Sequence, residues 1–386
     1  MKFKSNQGFT HSQSDKIGVL VTNLGTPERP TAAALRPYLK EFLSDPRVVE
    51  IPRALWWFIL NFIILNTRPK RSAEAFKTVW TEEGSPLLTI TKSQAKAIEA
   101  RCKAEYGDDV VVDFAMRYGN PAISDTIERM LSQGVRKLVV LPLYPQYSAS
   151  TTASTFDAIA RDFTKRRWLP ELRFVNHYND RPDYIKALAN KVRAYWEEHG
   201  KADKLILSYH GIPKRYLLNG DPYHCECHKT SRLLAEELGL THEQYMTTFQ
   251  SRFGKAEWLK PYTDETMKSL PGNGVKSIQV MCPGFSADCL ETIEEIGEEN
   301  REYFMEAGGE KYEYIPALNS DEAHIDMLFD LVKENLHGWT VNKDTAESWL
   351  NAQTTKIQNT AKAQGFKGNK GQILLTSQSS PKACTH

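Results

Sequence analysis

The sequence predicts an α/β protein built from two similar open Rossmann-like domains, each a parallel sheet flanked by helices, with a cleft between them. Alternation is the first reason. Short apolar, β-branched runs at residues 17–22, 110–114, 137–141, 172–175, 205–208, 246–249, 277–281 and 312–315 are separated by helical patterns such as 91–106, 122–133, 182–198 and 290–305. That order implies parallel sheets covered by helices on both faces. Length is the second reason: 386 residues suffice for two domains of ordinary size, and a hydrophobic content of 41% gives each a core. Third, the two halves resemble each other. "LVTNLGTP" (20–27) matches "ILSYHGIP" (206–213) at Gly and Pro, "RYG" (117–119) matches "RFG" (252–254), and "GVRKLVVLP" (134–142) matches "GVKSIQVMCP" (274–283) with one residue inserted.

In chain order, residues 1–16 are polar and lack the apolar run of a signal peptide, so the chain is expected in the cytoplasm. The strand at 17–22 opens a first domain, placed at 16–176. Within it lies "ALWWFILNFIIL" (54–65), flanked by Arg53 and by Arg68, Lys70 and Arg71. This is about half of the roughly 20 apolar residues that a bilayer-spanning helix needs, so it cannot span. Two readings stand: a buried core helix, or a lip over 52–71 that dips into a membrane interface or receives a large apolar ligand. A second domain, at 177–339, carries the helix at 182–198 and the last four strands. After Trp339 the apolar periodicity stops, and 340–386, rich in Thr, Asn, Gln, Lys and Ser, reads as a poorly ordered or loosely attached tail. With 49 basic against 48 acidic residues, net charge gives no argument for nucleic acid. Six scattered cysteines make no disulfide framework in a chain this long.

In open α/β sheets ligands bind beyond the carboxyl ends of the strands, and the repeated motifs all sit there. His210 ends the strand of "LILSYHGIP" and precedes a Gly-Ile-Pro turn. Its ring either stabilises that turn or is a neutral imidazole that accepts a proton or ligates a metal. The second constellation is "CPGFSADCLETIEEIGEENRE" (282–302), where Glu291, Glu295 and Glu298 recur at helical spacing with Glu299 adjoining, while Leu290, Ile293 and Ile296 lie toward another side. Asp288 and Glu291 have capping-box spacing, and charge runs commonly line a solvated face. Glu291 stands apart because its helix start faces the same cleft as His210, where a carboxylate is a proton acceptor or an oxygen ligand for a divalent cation. Cys225-Glu226-Cys227-His228 suggests a metal site, but two cysteines one residue apart match zinc spacing poorly. The sequence has no GxGxxG, Walker loop or Ser-centred elbow, which excludes dinucleotide-dependent, P-loop and α/β-hydrolase chemistry.

Several long stretches in fixed order, "NLGTP", "LPLYPQYSASTTAS" (141–154), "SYHGIP", "GDPYHCECHKT" (220–230), "QSRFGKAEWLKPYTDET" (250–266) and "CPGFSADCLETIEE", resemble the ferrochelatase family over 16–339. These bacterial-type, chelatase-like enzymes insert ferrous iron into protoporphyrin IX in the last step of haem synthesis. The resemblance implies that His210 is the pyrrole-proton acceptor or metal ligand, that Glu291 faces it, and that Glu295 and Glu299 continue an acidic path. It also implies that Phe285 and Asp288 lie at the pocket wall and that Arg117, Tyr118, Tyr144, Tyr223 and Trp258 fall on pocket or supporting positions. Where many members have a histidine two residues before the glutamate, this chain has Cys289. Members with a [2Fe-2S] cluster resemble one another in an internal cysteine, which falls here at Ala149, and in a C-terminal cysteine cluster, of which only Cys384 is present, so no such cluster is expected.

The expected partners are protoporphyrin IX and ferrous iron, with peripheral contact at the inner membrane surface and no nucleic acid. Metallation removes two pyrrole protons and strips water from the ion, so the pocket must be apolar with a base on the metal-facing axis. The Trp-rich segment is expected to supply apolar wall. Competing readings are a chelatase for another tetrapyrrole or metal, such as coproporphyrin or cobalt, and a non-catalytic tetrapyrrole or metal carrier.

Overall fold

A computed structural model describes residues 3–4, 15–254, 256–339, 356, 359 and 360. The sequence-predicted tail therefore lies almost wholly outside the described residues. Two four-stranded, all-parallel sheets form the frame. The first pairs β2 (Val110–Gly119), β1 (Lys16–Thr26), β3 (Val135–Pro142) and β4 (Glu171–Phe174) in that order. The second pairs β6 (Tyr245–Gln250), β5 (Lys204–His210), β7 (Ser277–Met281) and β8 (Lys311–Ile315). The two orders are the same, and each repeated motif falls at the same strand of its sheet. The internal match is thus an architectural repeat.

The central strands read as apolar runs because helices cover both of their faces. Val19, Leu20 and Val21 of β1 and Leu205, Ile206 and Leu207 of β5 are all buried. Around the first sheet lie α1 (Ala32–Leu43), α2 (Arg53–Phe58), α3 (Leu65–Val79), α4 (Pro86–Tyr106), α5 (Ile123–Ser132) and α6 (Ser154–Phe163). The later helices are α7 (Pro182–His199), α8 (Lys214–Leu218), α9 (Tyr223–Leu238), α10 (Thr263–Ser269), α11 (Asn300–Glu306) and α12 (Glu322–Leu336). The last of these turns back and packs on α4 and β3 of the first sheet, so one apolar core runs continuously from β1 to Trp339.

Three helical stretches have the wide π pitch: Ile59–Ile64, Ala149–Ala153 and Glu291–Glu299. In the first, the Trp-rich segment divides between burial and exposure. Trp56, Leu60, Leu65 and Pro69 are buried, with one extra residue between the second and third, inserted by the π turn. Leu55, Trp57, Phe58, Phe62 and Ile63, between them, are 54–63% exposed. One stripe is core and the remainder is an open apolar face.

Candidate active site

Both repeated glycine motifs mark places where neighbouring strand ends crowd together. A Cβ on Gly25 would stand 1.8 Å from the Tyr118 carbonyl oxygen, and one on Gly211 would stand 2.7 Å from that of Gln250. Only glycine fits, and the chain can then turn out of the sheet directly after His210. That turn borders an open cavity of about 990 Å³ including its mouth, between the two sheets' carboxyl ends. Its walls are mainly apolar: Leu24, Phe42 and Val48 from the first half, Ile212, Trp258 and Phe285 from the second. His210 and Glu291 line the same cavity, as do Tyr144 and Tyr223.

The His210 tautomer follows from its neighbour. Its Nδ1 lies 2.7 Å from the Gly211 carbonyl oxygen, which can only accept, so Nδ1 carries a hydrogen and Nε2 is the nitrogen left free of that bond. Glu291 begins the third π stretch. Gln250, at the end of β6, holds that turn by donating from Nε2 to the Glu291 carbonyl at 2.8 Å. The carboxylate of Glu295 accepts from the Ser251 amide at 2.7 Å and the Ser251 hydroxyl at 2.5 Å. Burial pushes the Glu295 pKa up to about 7, a rise opposed by the Ser251 hydroxyl and increased by the charge of Glu291. Glu299 is exposed and accepts from the Tyr303 hydroxyl at 2.5 Å. Cys289 also lines the cavity, and burial with the neighbouring Glu291 charge holds its thiol protonated well above the usual range.

The helix expected over 290–305 departs from the α form at this point. Its buried positions are Thr292, Ile296, Asn300 and Phe304, whereas Leu290 and Ile293 are only half-buried. Wide i→i+5 turns bring every fourth residue nearly into line, which an α-helical reading of the apolar pattern misses. Asp288 forms no capping box either. Its carboxylate accepts from Tyr314, Asn319, Thr292 and the Ala317 amide, and it lies behind the cavity wall rather than in it.

Arg117 and Tyr118 are also supports. The Arg117 guanidinium pairs with Asp45, whose carboxylate additionally accepts from Tyr118 at 2.9 Å and Ser154 at 2.6 Å, all buried. Burial pushes the Asp45 carboxyl up, but the Ser154 and Arg47 hydrogen bonds and the Arg117 charge outweigh it and leave it below its ordinary value. No residue of 53–65 lines the cavity, contrary to the expected apolar wall. The Trp56 indole instead donates to the Leu43 carbonyl at 2.6 Å, and Phe42 and Val48 form that side of the wall.

Sequence reasoning left the role of "GDPYHCECHKT" open beyond the poor match of its cysteines to zinc spacing. Cys225 is exposed and Cys227 is buried, so the pair does not converge. The polar residues of the motif hold the 146–149 loop of the first half. Asp221 accepts from the Ala149 amide at 2.8 Å, Glu226 from the Tyr147 amide at 2.7 Å, and the Thr230 hydroxyl from Gln146 at 3.0 Å. Glu226 and Thr230 lie one helical turn apart, a spacing that could have signalled a shared face.

The comparisons decide the family. A family model described as Ferrochelatase matches residues 16–336. The chain belongs to the ferrochelatase family. Ferrochelatase of Idiomarina loihiensis is 68% identical over 93% of this chain and 98% of its own length. That of Marinobacter nauticus is 64% identical over 90% and 94%, and Ferrochelatase 2 of Shewanella oneidensis is 56% identical over 84% and 99%. Among solved structures, SirB from Bacillus subtilis with Fe3+ aligns at a TM-score of 0.50 and 13% identity, covering 83% of this chain and 95% of that one. At that identity the likeness speaks to the fold alone. Ferrochelatases are metal-chelating lyases that join ferrous iron and a porphyrin.

Proposed function

We propose that His210 and Glu291 carry the insertion step by which this chain converts Fe2+ and protoporphyrin IX into protohaem and two protons. One observation carries the reading: the His210 Nδ1–H is committed to Gly211, which leaves Nε2 as the free ring nitrogen of a residue that lines an apolar cavity together with Glu291. Such a nitrogen can take a pyrrole proton or guide the ion, and the carboxylate can take the second proton. Among the described residues no three His, Cys, Asp or Glu side chains stand close enough to hold a metal. A macrocycle that supplies four nitrogen donors needs no such cage, and a tight one would compete with it for iron. Tyr144 Oη and Trp258 Nε1 are buried without a partner among the described residues, which supports a polar-edged ligand filling the cavity.

From Glu291 the protons would pass to Glu295, whose pKa of about 7 suits it to accept and release them near neutrality, and then to the exposed Glu299. Phe285, Tyr144, Tyr223 and Trp258 would hold the ring, with Arg117, Tyr118 and Asp288 bracing them from behind. A [2Fe-2S] cluster needs four protein ligands, and four of the five described cysteines are singly buried in separate surroundings. We read the enzyme as working without one, and iron–sulfur absorption in the purified chain would overturn that. Among the described residues no helix is long and apolar enough to cross a membrane. The open face of Leu55, Trp57, Phe58, Phe62 and Ile63 supports peripheral docking on a membrane.

The test is anaerobic mixing of Fe2+ and protoporphyrin, followed by the porphyrin absorption bands. His210→Ala should bind porphyrin within a few-fold of the parent and lose insertion. A variant that binds porphyrin normally and still inserts iron at near the parent rate would overturn the assignment.

A further inference from the structure

The motif at 220–230 contains two histidines that the site does not use. His224 and His228 lie four residues apart on α9, so they rise from the same face of the helix one turn apart. Their ring centroids are 4.5 Å apart with planes at 55°. Both rest against the buried ring of Phe249, at 5.7 and 6.0 Å. Neither makes a hydrogen bond or ion pair among the described residues. The ring nitrogens of both are therefore uncommitted, although each stands beside a hydrocarbon floor that limits how it can turn.

We propose that His224 and His228 form a second, peripheral site for a late first-row divalent cation, separate from the porphyrin cavity. Two imidazoles at i and i+4 on one helix face are a known ligand spacing. With metal–nitrogen bonds of about 2.0–2.1 Å, two imidazoles at right angles around one ion would have centroids roughly 4.5 Å apart, which is the separation found here. Right-angled nitrogen donors suit octahedral or tetragonal ions such as Ni2+ and Cu2+, with water completing the shell. Burial also lowers the pKa of both rings, which favours the neutral form that ligates. Neither histidine lines the cavity, and neither touches His210 or Glu291.

The experiment uses Ni2+ as probe on the full chain. Because His210 is itself a candidate ligand, calorimetric titration is run on the parent, on His210→Ala, and on His210→Ala combined with His224→Asn or with His228→Asn. Loss of a second-shell partner alone costs about 10- to 100-fold in metal affinity, so removing either histidine should weaken Ni2+ at least about tenfold in the His210→Ala background. Ni2+ should also raise the thermal midpoint of His210→Ala but not of the combined variants. His228→Asn alone should leave iron insertion unchanged, which separates this site from the catalytic one. The proposal fails if His210→Ala binds no Ni2+, or if its affinity is the same with and without His224 and His228 in folded protein.

Discussion

At the scale of single residues, the hydrogen bond from His210 to Gly211 decides which imidazole nitrogen is free. Glu291→Gln keeps the side chain's size but removes its charge, and should slow insertion by about 100- to 10,000-fold, the usual range for a lost proton-transfer group. Because such residues act as a unit, combining it with His210→Ala should be little worse than the poorer single variant, measured by stopped-flow porphyrin absorbance. Glu295 makes a prediction in pH. Its folded pKa is raised, so between its ordinary value and about 7 the folded state holds more protons than the unfolded one, and stability falls as pH rises through that window. Glu295→Gln should therefore gain thermal midpoint relative to the parent as pH is raised from about 4.5 to 7, and a constant difference would contradict a raised pKa. Asp45 has the opposite sign, since its lowered pKa gives stability that is present above the ordinary carboxylate range and lost as pH falls. Asp45→Asn leaves Arg117 buried without its charge partner and should cost about 3–5 kcal/mol in denaturant melts. That His210 and Glu291 would face one cleft was legible in the sequence, because strand ends and turn residues announce themselves. Asp45 was not, because a carboxylate outside any motif gives no sign that it will meet Arg117 across 72 positions.

At the scale of elements, the Trp-rich segment separates a buried stripe from an exposed apolar face, which composition cannot distinguish. Trp56 and Trp57 are adjacent and chemically identical, yet one is 5% and the other 54% exposed. Trp56→Ala should cost about 3–5 kcal/mol of stability and leave membrane affinity intact in whatever protein remains folded. Replacing Trp57, Phe58 and Phe62 by Ser should do the reverse, leaving stability nearly unchanged and reducing liposome co-sedimentation. Unchanged co-sedimentation in that folded variant would remove the membrane from the account. Periodicity alone could not assign the two tryptophans, because the π turn at Ile59–Ile64 shifts the buried stripe by one residue partway along. The same blindness affected Glu291–Glu299, where an α-helical template grouped Leu290, Ile293 and Ile296 on one side, whereas the structure buries Thr292, Ile296 and Asn300 and leaves Leu290 and Ile293 half-buried. Sequence patterns are read against 3.6- and 2-residue templates, and a wide turn fits neither.

At the scale of the whole molecule, all eight strand runs were visible as short apolar, β-branched stretches between helical patterns, and the motif repeat foretold two similar domains, whose sheets prove to share one strand order. The return of α12 to the first sheet was not visible, since an amphipathic helix does not say which surface it will cover. That return closes the molecule. Arg101 pairs with Asp326 at 2.7 Å, Arg173 donates to the carbonyls of Asn335 and His337 at 2.5 and 2.9 Å, and the Trp339 indole donates to Glu171 at 2.9 Å. Arg173 also stacks over the Trp339 ring, 4.0 Å from its centroid, and Trp339 itself is 5% exposed. Among the described residues, these contacts join the end of the second half to the first sheet as far as residue 339. A chain ended after Trp339 should fold and keep insertion within a few-fold of the full protein. A chain ended before Glu322 should lose α12, expose the apolar surfaces of α4 and β3, and fail to hold the two cavity walls in register, so porphyrin binding and insertion should disappear together. Circular dichroism, porphyrin fluorescence quenching and anaerobic insertion, measured on both truncations, distinguish the outcomes. Should the longer truncated chain fold and bind porphyrin yet lose insertion, residues after 339 would have to contribute to catalysis, and the closure at Trp339 would not be the functional boundary.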